Sequence, residues 1–160
     1  MFDYDKKEEL TNPVWAYRDL THSHRRAHDM AFLSVGAGGI GQPMLLIFLL
    51  KRSAKGLETT QKELASILKI SAPTLTVSLK SLEKNGYVKK IADEVDKRRN
   101  HIEITEKGAT AARGCLRCLK EIDTVMYQSF SDVERQQVAD YFSRMTVNLN
   151  NYIAERETHV

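Results

Sequence analysis

Only two cysteines occur in the 160 residues. That is too few for a disulfide framework and points to a reducing compartment, the cytoplasm. With three prolines and a single tryptophan, the chain also lacks the composition of a proline-rich spacer. An excess of one charge is missing too: 24 Lys and Arg stand against 21 Asp and Glu, a net of +3. Total charge therefore says little about partners. No internal repeat or low-complexity tract is present. The first ten residues are strongly charged, so no secretory signal is expected.

A long hydrophobic run is nearly present but broken. Met30 to Leu50 is free of charge over 21 residues, about the length that spans a bilayer. Gly36, Gly38, Gly39, Gly41, Gln42 and Pro43 interrupt it, and the continuous apolar part is only Met44–Leu50. A turn followed by a buried helix is expected there, and no membrane span. Apolar residues form 42% and charged residues 28% of the chain. That balance is globular rather than disordered, and the length suffices for one domain with a core.

What the total charge hides, its distribution shows. Lys51 to Lys107 holds 13 Lys and Arg against 8 Asp and Glu, whereas the remainder holds 11 against 13. The basic segment also carries the clearest pattern. Asn12-Pro13 opens a first helix reaching about Phe32, with Asn as cap and Pro in the first turn. After the glycine-rich turn, a second helix from about Gln42 to Ala54 is apolar nearly all round. Thr60 and Glu63 form a capping box for a third helix with Leu64, Ile67 and Leu68 facing inward. Ser71 caps a fourth helix, whose Leu75, Leu79 and Leu82 make a buried stripe, and Asn85-Gly86 stops it. Tyr87–Ile91 and His101–Thr105 read as strands joined by a charged loop. Thr105 caps a fifth helix over about Glu106–Ser129, and Ser131 with Glu134 starts a sixth that reaches about Ala154.

Helix, turn, helix and a hairpin with a basic tip make a winged helix-turn-helix. The fold class is mostly α, with a two-stranded β wing and terminal helices that form a dimerisation region. With its leucines buried, the fourth helix exposes Pro73, Val77, Lys80 and Lys84, flanked by Thr74, Thr76 and Ser81. This face is small, polar and basic, with no acid on it, and it suits a major groove. Thr74, Thr76 and Val77 are the candidates for base edges, because residues near the helix start reach deepest. Lys80 and Ser71 are candidates for phosphate contacts. So are Thr60 and Gln61, at a helix start whose unbonded N–H groups favour an anion. The wing tip reads Asp96-Lys97-Arg98-Arg99-Asn100. A carboxylate beside an arginine holds it in one orientation, and Arg98 is the candidate for entering a minor groove.

Thr60-Gln61-Lys62-Glu63-Leu64-Ala65, the block Ser71–Val88, and Asp96-x-Arg98 followed by Ile104-Thr105-Glu106-Lys107-Gly108 together resemble the MarR family of bacterial transcription regulators. The resemblance spans about 42–108 by motif, the winged-helix DNA-binding part, and reaches the ends by helix order and length. It implies a single MarR-like domain over 1–160, with 12–34 and 106–154 as the helical dimerisation part. It further implies a homodimer on a pseudo-palindromic operator, a repressor released by a small phenolic or other aromatic ligand or by an oxidant, and an Asp96 that orients Arg98. No cofactor and no enzymatic activity are implied. The chain departs from many members in Pro73, early in the recognition helix, and in Ile104, where leucine is common.

Apolar residues of the last two helices, among them Val125, Met126, Phe130, Tyr141, Phe142, Met145, Leu149, Tyr152 and Ile153, form a long sparse stripe suited to dimerisation. Other patterns carry less. His24 and His28, four apart on a helix, have metal-ligand spacing, but Arg25 and Arg26 beside them disfavour a cation. Cys115 and Cys118 form one Cys-x-x-Cys without a second pair, a candidate thiol sensor whose plainer reading is buried small hydrophobes. Gly36-x-Gly38-x-x-Gly41 matches a dinucleotide fingerprint in letters only, since a helix rather than a strand precedes it. A metal- or thiol-responsive regulator of the same fold is one alternative. A winged-helix module that binds protein without DNA is the other, and it calls for acidic or apolar residues where the fourth helix has lysines and threonines.

Overall fold

The computed structural model describes residues 12–38, 42–92 and 100–158. Its elements in chain order are α1 (Pro13–Ser34), α2 (Gln42–Ser53), α3 (Gln61–Leu68), α4 (Ala72–Lys84), β1 (Val88–Ala92), β2 (Asn100–Ile104), α5 (Glu106–Met126) and α6 (Asp132–Glu157). The chain divides into two compact units, Met1–Ile122 and Asp123–Val160.

In the first unit the expected caps are in place. The Asn12 side chain accepts from the Val14 N–H at 2.9 Å, with Pro13 in the first turn of α1. Thr60 and Glu63 satisfy each other's backbone N–H at the start of α3. Lys69 closes α3 in the left-handed conformation, φ 50°. Two residues later Ser71 starts α4 by accepting from the Thr74 N–H. Such caps contribute about 1 kcal/mol each and here set the angle of a short turn.

The core is built where the leucines predicted it. Leu45 and Leu46 of α2, Leu64 of α3, and Leu75, Leu79 and Leu82 of α4 are each no more than 1% exposed. Burying one leucine is worth about 1.5–3 kcal/mol, so this cluster fixes α3 and α4 against α2. Ile67 departs from expectation and is exposed. The eight-residue α3 meets the core along Leu64 and Leu68, and Ile67 falls one step off that row. Met44 is likewise exposed, so α2 is buried on most of its circumference rather than all of it.

The strands run antiparallel, from Val88 opposite Ile104 to Ala92 opposite Asn100. Both begin one residue nearer the tip than alternation alone suggests. Tyr87 is spent on closing α4, its N–H bonded to Leu82 O at 2.9 Å. Thr105 leaves the ladder to cap α5: its hydroxyl accepts from the Gly108 N–H at 3.0 Å and donates to Gly86 O at 2.7 Å. Gly108 is required there, since a Cβ would stand 2.0 Å from the Tyr87 carbonyl oxygen. The preceding loop joins the sheet through one bridge, Thr60 with His101, and through the Ile102 N–H donating to Thr59 O at 2.8 Å.

The second unit is chiefly α6. Ser131 and Glu134 form the expected capping box. The hydrogen bonds from Ser131 hold the Glu134 carboxyl below its ordinary pKa. Tyr127 and Phe130 meet edge to face just before it. Over 26 residues α6 buries no side chain. Tyr141, Phe142, Met145, Leu149, Tyr152 and Ile153 are all exposed.

Candidate nucleic-acid interface

The outer face of α4 is shaped by its own hydrogen bonds. The Thr76 hydroxyl donates to Ala72 O at 2.8 Å, and Gln61 Nε2, from the first turn of α3, donates to that hydroxyl at 2.7 Å. The Thr74 hydroxyl is 2.8 Å from the Ser71 hydroxyl. Both threonines thus have their oxygens engaged within the protein. Beside them stand two exposed apolar residues, Pro73 and Val77, the latter 69% exposed. Lys80 and Lys84 follow on the same helix, both exposed. The face that the sequence placed outside the leucine stripe is therefore exposed at Pro73, Thr74, Val77, Lys80 and Lys84 and half-buried at Thr76 and Ser81, with its threonine hydroxyls already bonded within the protein.

The orientation of α4 is held from three sides. Ser81 accepts from Gln42 Nε2 at 2.9 Å, tying the helix to the start of α2. Glu83 lies 3.2 Å from Lys90 of β1, linking the end of α4 to the wing. Lys107 donates to Asn85 O at 2.8 Å and sits over the Tyr87 ring, whose hydroxyl reaches Gly36 O at 2.8 Å. None of these five contacts leaves a signal in a single sequence, because each joins groups that only the fold brings together. Surface charge is also partly spent in the wing, where Lys89 pairs with Glu103 at 2.8 Å.

At the start of α3, the Glu63 carboxylate accepts from both the N–H and the hydroxyl of Thr60. Arg52 stands 3.6 Å from the same carboxylate. The acid thus occupies the position nearest Thr60, and the N–H groups of Gln61 and Lys62, which have no partner within a helix, are what the helix start offers a phosphate. The wing-tip candidates Asp96, Lys97, Arg98 and Arg99 lie outside the described residues.

The remaining candidates are placed as follows. The ring centroids of His24 and His28 lie 4.2 Å apart with the rings tilted by 54°, and the His28 ring lies 5.4 Å from that of Phe32. Among the described residues no group of three or more His, Cys, Asp or Glu side chains gathers as a metal site. Cys115 and Cys118 are both buried, and Cys118 Sγ faces Ala31 O at 3.5 Å. Burial first, then the neighbouring Cys118, pushes the Cys115 thiol up to about 11. A thiol so held is a weak nucleophile at neutral pH. Gly36 and Gly38 follow helix α1 with no strand before them, and Gly41 lies outside the described residues. No helix among the described residues is long and apolar enough to cross a membrane.

Comparison with known proteins agrees with this geometry. Residues 41–126 match the family model described as "ArnR1-like, winged-helix domain". No curated protein matches the sequence significantly. Among solved structures, MepR of Staphylococcus aureus, a transcription regulator of the multidrug efflux pump MepA, is 20% identical with a TM-score of 0.71, covering 86% of this chain and 98% of its own. MepR in complex with DNA aligns at 21% identity and a TM-score of 0.68, covering 86% and 96%. The heme sensor protein PefR from Streptococcus agalactiae, in complex with heme, aligns at 21% and 0.68, covering 86% and 94%. The chain therefore belongs to the ArnR1-like winged-helix family and has the MarR-type fold that its motifs implied.

Proposed function

We propose that this protein is a sequence-specific, double-stranded DNA-binding transcriptional regulator, a repressor that works as a homodimer and is released by a small ligand. The observation that carries this reading is the outer face of α4. It is convex, exposed and free of acid, begins with Pro73 and Thr74 and ends with Lys80 and Lys84. The two lysines and the lack of acid set it apart from the acidic or wholly apolar face that a protein-binding winged helix calls for. The likeness of fold to a DNA-bound regulator supports the same conclusion.

The mechanism follows from the groove. Pro73, Thr74, Thr76 and Val77 enter it and touch thymine methyls, which only the major groove displays. Ser71, Lys80 and the N–H groups of Gln61 and Lys62 lie against the flanking phosphates, Thr60 being held by the Glu63 carboxylate, and Lys97, Arg98 and Arg99 at the wing tip reach the adjacent minor groove, with Asp96 orienting Arg98. One such module covers only a few base pairs. Two related by a two-fold axis read half-sites about 34 Å apart. The exposed apolar residues of α6 supply the surface that joins them. A ligand acts by preferring one spacing of the two α4 helices over another. The fold likeness to a heme sensor supports response to a small molecule without naming it.

The test is replacement of thymine by uracil, base by base, in a bound operator fragment. Removing a methyl that Val77 or Thr76 touches should weaken binding by about 1 kcal/mol at a few positions per half-site, read by fluorescence anisotropy. Indifference at every position would overturn the assignment of the methyl face.

A further inference from the structure

Tyr87 stands where α4, the wing and the end of α1 meet. Its backbone closes α4, the N–H bonded to Leu82 O at 2.9 Å, and its carbonyl oxygen accepts from the Thr105 N–H at 3.0 Å, just before α5. Its side chain reaches a different part of the fold. The hydroxyl donates to Gly36 O at 2.8 Å, 51 residues away along the chain. The residue is buried, and the Lys107 ammonium lies 4.9 Å from the ring centroid. The far end of the bond is built as closely. Gly36 has φ 74°, the left-handed region that favours glycine, and a Cβ there would stand 2.9 Å from the Tyr87 hydroxyl oxygen. The segment leading into Gly36 is anchored in turn to α5. Val35 packs on Gly114, where a Cβ would come within 3.1 Å of the valine side chain, and the Cys118 thiol donates to Ala31 O at 3.5 Å. The end of α1 and the middle of α5 thus form one frame, and the Tyr87 hydroxyl ties the end of α4 to it.

In the proposed dimer the terminal helices belong to the part that two copies share, whereas α4 belongs to the part that reads DNA. The separation of the two α4 helices is then set by how each is held to its own frame. We infer that Tyr87 is the positioning residue for operator spacing: its bond to Gly36 fixes α4 against the α1–α5 frame, so that two copies accept half-sites at one separation and reject others. Tyr87 is buried and touches no base; it acts through α4. One base pair more or less shifts the second half-site by about 3.4 Å and about 35° around the duplex. An α4 tied at its end cannot follow that shift without breaking the bond. With the hydroxyl removed, the helix keeps its leucine packing and its reading face but loses one restraint on its setting, and wrongly spaced half-sites become less costly. This inference deepens the proposed dimeric regulator and rests on it.

Operator fragments with the half-sites at their natural separation, or one base pair closer or farther, provide the test, read by fluorescence anisotropy on the full chain. The parent should prefer the natural separation about tenfold, and Tyr87→Phe only about twofold. The variant should remain dimeric by light scattering and should bind a fragment holding a single half-site as the parent does. That last measurement separates spacing from damage, because a distorted α4 would bind the single half-site more weakly as well. Gly36→Ala, which presses a methyl group on the same hydroxyl, approaches the bond from its other end and should also relax the preference; it decides the matter if Tyr87→Phe does not fold. A spacing preference kept in full by the folded variant overturns the role of Tyr87, and so does an equal loss of affinity on the single half-site. In either case a parent that prefers one separation leaves the regulator standing. A parent that binds no DNA, or binds all separations equally, overturns the paired reading of half-sites and the role of Tyr87 with it.

Discussion

Gln61 and Thr76 are joined at 2.7 Å, side chain to side chain, across the helix-turn-helix. The bond connects the first residue of α3, a proposed phosphate contact, to one on the edge of the proposed reading face of α4. It leaves Thr76 with its hydroxyl engaged twice, by Gln61 and by Ala72 O. The two residues are therefore expected to act on DNA as a pair. Gln61→Ala and Thr76→Val should each weaken operator binding, and a double-mutant cycle should show a coupling of about 0.5–3 kcal/mol. Strict additivity in anisotropy titrations would show that the bond plays no part in recognition.

The wing is expected to contribute by charge. Arg98→Ala should weaken binding to all DNA sequences while leaving circular dichroism and molecular mass unchanged. Affinity should fall by about 0.9 log units per log unit of salt for each phosphate neutralised, and the variant's slope should be smaller by about one phosphate. A variant with the parent's slope and affinity would remove the wing from the interface.

The apolar face of α6 is expected to join two copies. Leu149 is 61% exposed in the single chain. Leu149→Asp places a charge in that face, which is costly only if the face is covered. Light scattering after size exclusion should show monomer for the variant and dimer for the parent. A dimer of unaltered stability in the variant would locate the interface elsewhere.

The Cys115 thiol is held neutral by burial, with its pKa raised from 9.0 to about 11. Thiol reagents at pH 8 should modify it only as fast as the protein opens. The sign of the stability effect follows from the raised pKa. The unfolded chain loses its proton at lower pH than the folded one, so stability is complete below pH 9.0 and declines as pH rises towards about 11. Chemical denaturation at pH 8 and pH 10.5 should show this decline in the parent and a smaller one in Cys115→Ala. Rapid stoichiometric labelling of the native protein would contradict the burial.

Much of this molecule follows from local rules. The caps at Asn12, Thr60, Ser71 and Ser131, the leucine stripe of α4 and the alternation of Ile102 and Ile104 are short-range patterns. Each is determined by backbone geometry and burial within a few residues, which is why the order of helices and the exposed face of α4 are legible in the chain alone. Strand ends were off by one because Tyr87 and Thr105 serve helix caps, and Ile67 faced outward because a two-turn helix has only one row against the core. Only the tertiary structure decided how the face is finished: which threonine oxygens are engaged, that Lys90 meets Glu83, and that Arg52 donates to the Thr59 hydroxyl and the Glu58 carbonyl oxygen. These are contacts between polar side chains brought together by packing elsewhere, and polar pairing carries no periodicity for a sequence to display.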